Sequence, residues 1–306
     1  MKKILITLAA AMVSLWAGAA SFETFVYNVC EDDTLRLDYY RPAQADAPLM
    51  VFAFGGGFMG GQRHTDDYDR LFNYLCDNGV AVATVDYRTV LLADGPESVA
   101  TIDGFCNALY RAITVAVTDY TMATRYLVAN AADLGFDPAK VFAAGSSAGA
   151  ITVLQTEISV CNGAQTALPE GFNFAGVISM AGAVCALGQP QWDAAPAPML
   201  LFHGDADSNV PFDSIAVGGF GLFGSQYISR QLAEAHVPHQ FHIVRGANHR
   251  VNSSACVDYR GEVLDFIRTV SAGSFTRIVI TDDAPAEPQT YQTEFTVEDF
   301  IRSNMQ

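Results

Sequence analysis

Three short stretches of this chain hold a serine, two acids and a histidine in an order that nucleophilic catalysis uses. The first, AAGSSAGA, sets Ser147 inside Gly145-Ser146-Ser147-Ala148-Gly149, a G-x-S-x-G pattern. The apolar KVFAAG before it reads as a strand, and Ala148 to Ser159 after it as a helix. A serine on such a turn projects its hydroxyl above the sheet, and small neighbours keep the turn free of clashes. The helix that follows aims the positive end of its dipole at developing negative charge. Ser146 lacks the flanking pattern, so Ser147 is the expected nucleophile. A serine nucleophile needs a base, and the base needs an orienting acid. LLFHGDADSNVP is a buried strand running into a loop with two candidate acids, Asp205 and Asp207. IVRGANHR is a later strand whose loop offers His249 as the base. His203, at a strand end, reads as structural.

A fourth stretch, FGGGFMGG from Phe54 to Gly61, follows the apolar run PLMVFAF. Glycine loses the most conformational freedom on folding, so such a cluster implies a sharp turn or a close approach of backbone to something else. The choices are a phosphate cradle, a plain turn and an oxyanion hole. The Lys-[ST] of a P-loop is missing. The loop also does not fit G-x-G-x-x-G with an acid about 20 residues further on, so no dinucleotide is expected. No metal is expected either. No C-x-x-C pair occurs, and Pro238 breaks any helix that would set His236, His239 and His242 on one face.

These loops must be held by the elements around them. Phe22 to Arg41 is strand-like, and LRLDYY alternates apolar and polar residues. PLMVFAF is continuously apolar, as a strand covered on both faces should be. Tyr68 to Asn78 has helical spacing, with Gly79 where a C-cap glycine belongs. VAVATVDYR is a further strand, and Phe105 to Leu134 one long helix ended by Gly135. FAGVISMAG, PMLLFHG and HQFHIVRG are strands. A helix with Ser225 near its N-cap spans Ser225 to Ala235, and Ala255 to Val270 closes the series. Alternating strands and helices predict an α/β fold, with a mainly parallel central sheet and helices on both faces. Residues 273–306 change character around the acidic TDDAPAEPQT and read as an appendage of unassigned role.

Half of the 306 residues are hydrophobic and 16% are charged, so a sizeable core is expected. The net charge of −16 excludes nucleic acid as a partner, because phosphate binding needs clustered Lys and Arg. Residues 1–20 carry Lys2 and Lys3, an apolar Ile4 to Trp16, and small residues up to Ala20, the pattern of a secretory signal peptide. The apolar run is shorter than the roughly 20 residues of a membrane span. The expectation is a secreted or periplasmic protein with no membrane anchor after cleavage. Six cysteines, Cys30, Cys76, Cys106, Cys161, Cys185 and Cys256, predict disulfides in an exported chain.

The order Ser, Asp, His is that of α/β-hydrolases. From Leu49 to Ile267 the chain resembles that superfamily and, within it, the serine carboxylesterases and lipases. The resemblance rests on FGGGFMGG, VDYR, DPAKVFAAGSSAGA, LLFHGDADSNVP and RGANH. It implies residues 21–272 as an α/β-hydrolase catalytic domain, with Ser147 as nucleophile and His249 as base. Asp207, in the H-G-x-x-D pattern, would be the acid, leaving Asp205 to cap the turn. It implies oxyanion-hole amides at Gly56 and Gly57, with the Ala148 amide as third donor. Phe54 stands where the family has a histidine. No cofactor is implied, and the substrate would be a small carboxylic ester. AVGGFGLFGS, from Ala216 to Ser225, is either a wall of the substrate pocket or a packed surface loop. His64 is a surface residue or a substrate contact. The rival readings are a secreted peptidase of the prolyl oligopeptidase type and a non-catalytic binding module on the same fold.

Overall fold

The structure, a computed structural model, describes residues 21–30, 33–164, 167–217 and 219–284, together with Thr296, Asp299, Arg302 and Ser303. The expected signal peptide therefore lies outside the described residues. β1 (Phe22–Cys30) and β2 (Asp33–Tyr40) form an antiparallel hairpin. Then come β3 (Ala47–Ala53), α1 (Asp66–Asp77), β4 (Ala81–Val85), α2 (Ile102–Ala129), α3 (Ala131–Leu134), β5 (Phe136–Ser146) and α4 (Ala148–Cys161). β6 (Gly176–Met180), β7 (Ala183–Leu187), β8 (Met199–Gly204), β9 (Ser214–Val217) and β10 (Phe220–Gly224) follow. The chain continues through α5 (Ser225–Glu234), β11 (His239–Val244), α6 (Val251–Asp258), α7 (Arg260–Ser271) and β12 (Ile278–Asp283).

The main sheet has nine described strands in the order β1-β2-β4-β3-β5-β6-β8-β11-β12. From β4 onward every neighbouring pair is parallel. Parallel neighbours need crossovers, and the crossover helices cover both faces. α1, α6 and α7 pack together on one side, and α2 and α4 on the other. That is why β3 is apolar throughout, without alternation: Leu49, Met50, Val51, Phe52 and Ala53 are all fully buried. β12, in residues the sequence left without a role, adds parallel to β11 and extends the sheet.

Local chemistry sets the helix bounds. α1 starts at Thr65, whose hydroxyl accepts the Tyr68 amide, and Asp66, Asp67 and Asp69 face the positive end of its dipole. It buries Tyr68, Leu71, Phe72 and Leu75, each worth about 1.5–3 kcal/mol of burial. Gly79 then turns the chain at φ +86°. The long helix expected over 105–134 is two. α2 begins at Ile102, capped by Thr101, and Asn130 interrupts it at φ −111° before α3 ends at Gly135. The closing helix likewise begins earlier and breaks at Tyr259, at φ −116°. Ser225 is the first residue of α5 rather than its cap, because its hydroxyl is hydrogen-bonded to His203 Nδ1 at 2.8 Å.

Two further features depart from the sequence reading. β7, β10 and β9 form a separate antiparallel sheet of three strands, so AVGGFGLFGS is not a surface loop but most of a hairpin. The cysteines are all free thiols, so the expected disulfide is absent. They sit on separate elements, and Cys106, Cys185 and Cys256 are buried. Cys256, for one, is fully buried with its thiol 3.3 Å from Met180 Sδ. Burial pushes the Cys185 thiol up to about 12.

Candidate active site

Ser147 occupies the turn between β5 and α4 with φ 52° and ψ −119°. This backbone region is costly for a residue with a side chain, of order 1–3 kcal/mol, and persists only where the surroundings impose it. Here they do. The Ser147 amide donates to the Met180 carbonyl of β6 at 2.8 Å. A Cβ on Gly145 would stand 2.4 Å from the Gly149 backbone, and one on Gly149 would stand 2.1 Å from Ala53 O. The two glycines of G-x-S-x-G are thus required by the close approach of α4 to β5 and β3.

The serine hydroxyl lies 2.8 Å from His249 Nε2. His249 Nδ1 lies 2.7 Å from Asp207 Oδ2. With Nδ1–H donating to the carboxylate, Nε2 is left to accept the serine proton. The elements explain the convergence. β5, β8 and β11 run parallel, so their C-terminal loops emerge at one edge of the sheet. Gly204 permits the last step, because a Cβ there would sit 2.1 Å from the Ala247 carbonyl of the histidine loop.

Asp207 is 2% exposed. Its Oδ1 accepts the amides of Asn209 at 2.8 Å and Val210 at 3.0 Å. Its Oδ2 also faces His203 Nε2 at 3.3 Å. Burial alone would raise the pKa of this carboxyl. The electrostatic pull of His249 and the hydrogen bonds from His203 and His249 outweigh burial and hold it well below the usual range. His203 is therefore structural in a specific sense: it is a second imidazole on the acid. Asp205 does not reach His249. Its oxygens take the Gly246 amide at 2.6 Å and Arg245 Nη1 at 3.2 Å, which ties together the loops after β8 and β11.

The glycine loop lies over this row. Gly55 is tightly approached, since a Cβ there would come within 3.1 Å of the Ser147 Cβ. Gly56 has φ +141° and its Cβ would stand 2.1 Å from Gly60 O, while Gly57 has φ +63° and would meet only the Met59 methyl at 3.1 Å. Among the described residues, the amides of Gly56, Gly57 and Ala148 donate to no other backbone carbonyl outside the regular elements. All three residues border the pocket that holds the Ser147 hydroxyl. Phe54 is buried and stacked on Tyr87 with ring centroids 4.5 Å apart, and the Tyr87 hydroxyl donates to the Phe54 carbonyl at 2.6 Å. An aromatic platform thus holds the start of the loop.

The pocket has a volume of about 370 Å³. Its apolar wall comes from Met59, Phe105, Leu109, Ile151 and Leu222, the last from β10. No Asp, Glu, Lys or Arg is among the described residues lining it. Tyr68, Asn252 and Ser303 also border it, and the sequence had singled out none of them. His64 is elsewhere, hydrogen-bonded to Asp38 and Asp69. His239 pairs with Ser229 and His242 with Asp283.

Comparison with known proteins adds a lineage to this geometry. A model of the carboxylesterase family matches residues 15–189. Cholinesterase 2 of Branchiostoma lanceolatum is 34% identical over 112 residues, covering 37% of this chain and 30% of that protein. The fumonisin B1 esterase of Sphingopyxis macrogoltabida is 30% identical over 128 residues, covering 39% of this chain and 22% of the relative. These matches thus span less than a third of the relatives' own lengths. Esterase 2 of Thermogutta terrifontis, phosphonylated by cyclosarin, superposes with a TM-score of 0.59 at 21% identity, over 85% of this chain and 96% of that one. Its butyrate-bound form gives 0.60 at 20% identity, over 83% and 95%. The architecture is the α/β-hydrolase fold. The chain belongs to the carboxylesterase family.

Proposed function

We propose that this protein hydrolyses small, uncharged carboxylic esters through an acyl-enzyme intermediate. The observation that carries the reading is the Ser147–His249–Asp207 row, with contacts of 2.8 and 2.7 Å, opening into a neutral, largely apolar pocket. Ser147 Oγ attacks the ester carbonyl while His249 Nε2 takes its proton. The buried Asp207 carboxylate orients the ring and stabilises the imidazolium. The amides of Gly56, Gly57 and Ala148 receive the oxyanion. His249 then returns the proton to the leaving alcohol. Water, activated by the same imidazole, releases the acid and restores the serine.

Pocket size and neutrality support the substrate class. A cavity of about 370 Å³ is at the low end for small-molecule sites. A charged acyl or alcohol group would be desolvated there with no partner. The test is a series of nitrophenyl esters of rising acyl length, run beside nitroanilides of the same acyl groups, with Ser147→Ala as control. Turnover is expected for short esters and is lost in the variant. Amide cleavage without ester cleavage would point instead to a peptidase. We also infer export, from the basic and apolar pattern of residues 1–20. N-terminal sequencing of the mature protein should then begin near Ala20 or Ser21, and an intact Met1 would refute it.

A further inference from the structure

Residues 273–306 take no part in the chemistry proposed above, yet the fold delivers them to the active-site edge of the sheet. β12 runs parallel to β11 and β11 to β8, with Asp283 opposite Val244 and Val244 opposite Gly204. The end of β12 is therefore level with the ends of the strands that lead into the His249 and Asp207 loops. It is tied there at three points. The Arg245 amide donates to the Asp283 carbonyl at 2.8 Å, His242 Nδ1 lies 2.7 Å from Asp283 Oδ2, and Arg245 Nη2 lies 2.6 Å from Asp282 Oδ1. Further along, Thr296 and Asp299 cap each other. Thr296 donates its amide to Asp299 Oδ2 at 2.9 Å and its hydroxyl to the same oxygen at 2.7 Å, and its Oγ1 accepts the Asp299 amide at 3.2 Å. This is the reciprocal box that starts a helix, and Asp299, Arg302 and Ser303 are helical. Residues four apart share a helix face. Asp299 is 6% exposed and Ser303 half-buried, whereas Arg302 is exposed. The face that carries Asp299 and Ser303 is thus the covered one, and Ser303 borders the pocket that holds the Ser147 hydroxyl.

We infer that the C-terminal turn carrying Asp299 and Ser303 is a wall of the ester pocket and limits the length of the substrate chain it accepts. The inference rests on the ester-hydrolase reading for its consequence, and on the placement of Ser303 for the wall itself. Nucleophile, base and oxyanion donors are all held by the central sheet and the loops at its edge, so the room beyond them sets which esters fit. A pocket of about 370 Å³ leaves little of it. One methylene gained or lost in an apolar pocket is worth about 10- to 200-fold in discrimination. Ser303 brings a small side chain to a wall otherwise made of Met59, Phe105, Leu109, Ile151 and Leu222. Bulk at residue 303 should therefore shorten the pocket, and loss of the Thr296–Asp299 cap should lengthen it. Neither residue touches the reacting atoms in this account. Ser303 selects by size, and Asp299 positions the turn that carries it.

Two measurements test the wall. The first needs no turnover. The photoreactive residue p-benzoylphenylalanine, put in place of Ser303 in the full chain, should cross-link on irradiation to peptides that carry pocket residues such as Met59, Phe105 or Leu222. Cross-links confined to surfaces away from the pocket, or no cross-link, would overturn the wall. The second compares kcat/KM for long and short esters in two series, nitrophenyl octanoate over nitrophenyl acetate and octyl acetate over ethyl acetate. In the series whose chain runs toward residue 303, Ser303→Trp should lower the long-over-short ratio by about 10-fold or more, and Asp299→Ala should raise it by about 3-fold or more. The opposite signs separate a wall from a general loss of fold, which would move both variants alike. Ratios that shift the same way in both variants, or that stay within about 2-fold of wild type in both series, would overturn the inference. A wild-type protein that cleaves no ester would refute the proposed function, and the cross-link would still judge the wall.

Discussion

Two histidines in this molecule carry the same first partner and differ in the second. His249 and His64 each hold a carboxylate 2.7 Å from Nδ1, Asp207 in one case and Asp69 in the other. At Nε2, His249 meets a serine hydroxyl at 2.8 Å, whereas His64 meets a second carboxylate, Asp38 Oδ2, at 2.9 Å. The difference determines what each ring can do. A ring between two acceptors can donate from both nitrogens, which favours the cation. Burial works against that charge at His64, but the hydrogen bonds and charges of Asp38 and Asp69 prevail and raise its pKa. Arg63 also bonds Asp38, at 2.6 Å, and pairs with Asp86, so the chain just after the glycine loop is clamped to β2 and to the loop after β4. A ring between a carboxylate and a hydroxyl can instead accept a proton and return it. A histidine–aspartate pair is therefore no mark of catalysis by itself. The group on the other nitrogen, and whether it opens on a pocket, makes the base.

Breaking each histidine should separate the two roles most strongly. His249→Gln should lower kcat for a short ester by about 10⁵–10⁶, as removal of a base that acts as a unit with its nucleophile does. His64→Gln should leave kcat within about 3-fold, since the ring lies outside the pocket. Comparable losses in both would dissolve the distinction. The acids sharpen it next. Asp207→Asn should cost about 10⁴ in kcat by leaving His249 in the wrong tautomer. Asp205→Asn, whose partners are Gly246 and Arg245, should cost less than about 10-fold. The reverse ranking would move the acid.

A smaller effect is expected in the loop that joins the two regions. Gly56→Val cannot separate chemistry from folding, because its Cβ would stand 2.1 Å from Gly60 O. Gly57→Ala can, since the added carbon meets only the end of Met59. If the Gly57 amide receives the oxyanion, the backbone shift that an alanine at φ +63° forces should lower kcat by up to about 10²–10³, with Tm falling by only about 2–4 °C. Retained turnover would assign that amide to the turn alone.

The smallest effect is on stability. The folded-state pKa of His64 is raised above its ordinary value of 6.5. Its contribution is therefore complete below pH 6.5 and is lost as pH rises through the folded value. Tm of the wild type should fall across that rise by about 2–4 °C more than Tm of His64→Gln, read by thermal melts at fixed ionic strength. Asp207 has the opposite sign. Its depressed pKa stabilises above the ordinary carboxylate range, and that stabilisation is lost only in strong acid. Parallel melting curves for wild type and His64→Gln would remove the clamp.

Much of this arrangement was legible in the sequence because its signals are local. Strand, turn and helix around Ser147 lie within one stretch. The apolar runs of β3, β4, β6 and β8 announce a parallel sheet, since both their faces are covered. Asp207 was separable from Asp205 only through the resemblance, and the structure supplies the distance that favours it. The small sheet was not legible. Gly221 and Gly224 in β10 read as loop, yet a Cβ on Gly224 would stand 1.8 Å from Pro211 O, so that glycine serves a close crossing and not a turn. The break at Asn130 has no adjacent Pro or Gly to mark it, and the one at Tyr259 has only Gly261, two residues on and inside α7. The Ser146–Asn252 contact joins residues far apart in the chain, and single-sequence periodicity holds no record of such meetings. The disulfide reading failed because cysteine parity is a statement about compartment, whereas here each thiol fills its own part of the structure.

The account stands most directly on the identity of the nucleophile, and GSSAG offers two serines to choose from. The decisive measurement is covalent labelling with an aryl organophosphonate, followed by peptide mapping of residues 141–161 and a parallel assay of residual ester turnover. A single adduct on Ser147, formed in step with loss of activity and absent in His249→Gln over the same time, is the predicted result. An adduct on Ser146, or full inactivation with Ser147 unmodified, would contradict it.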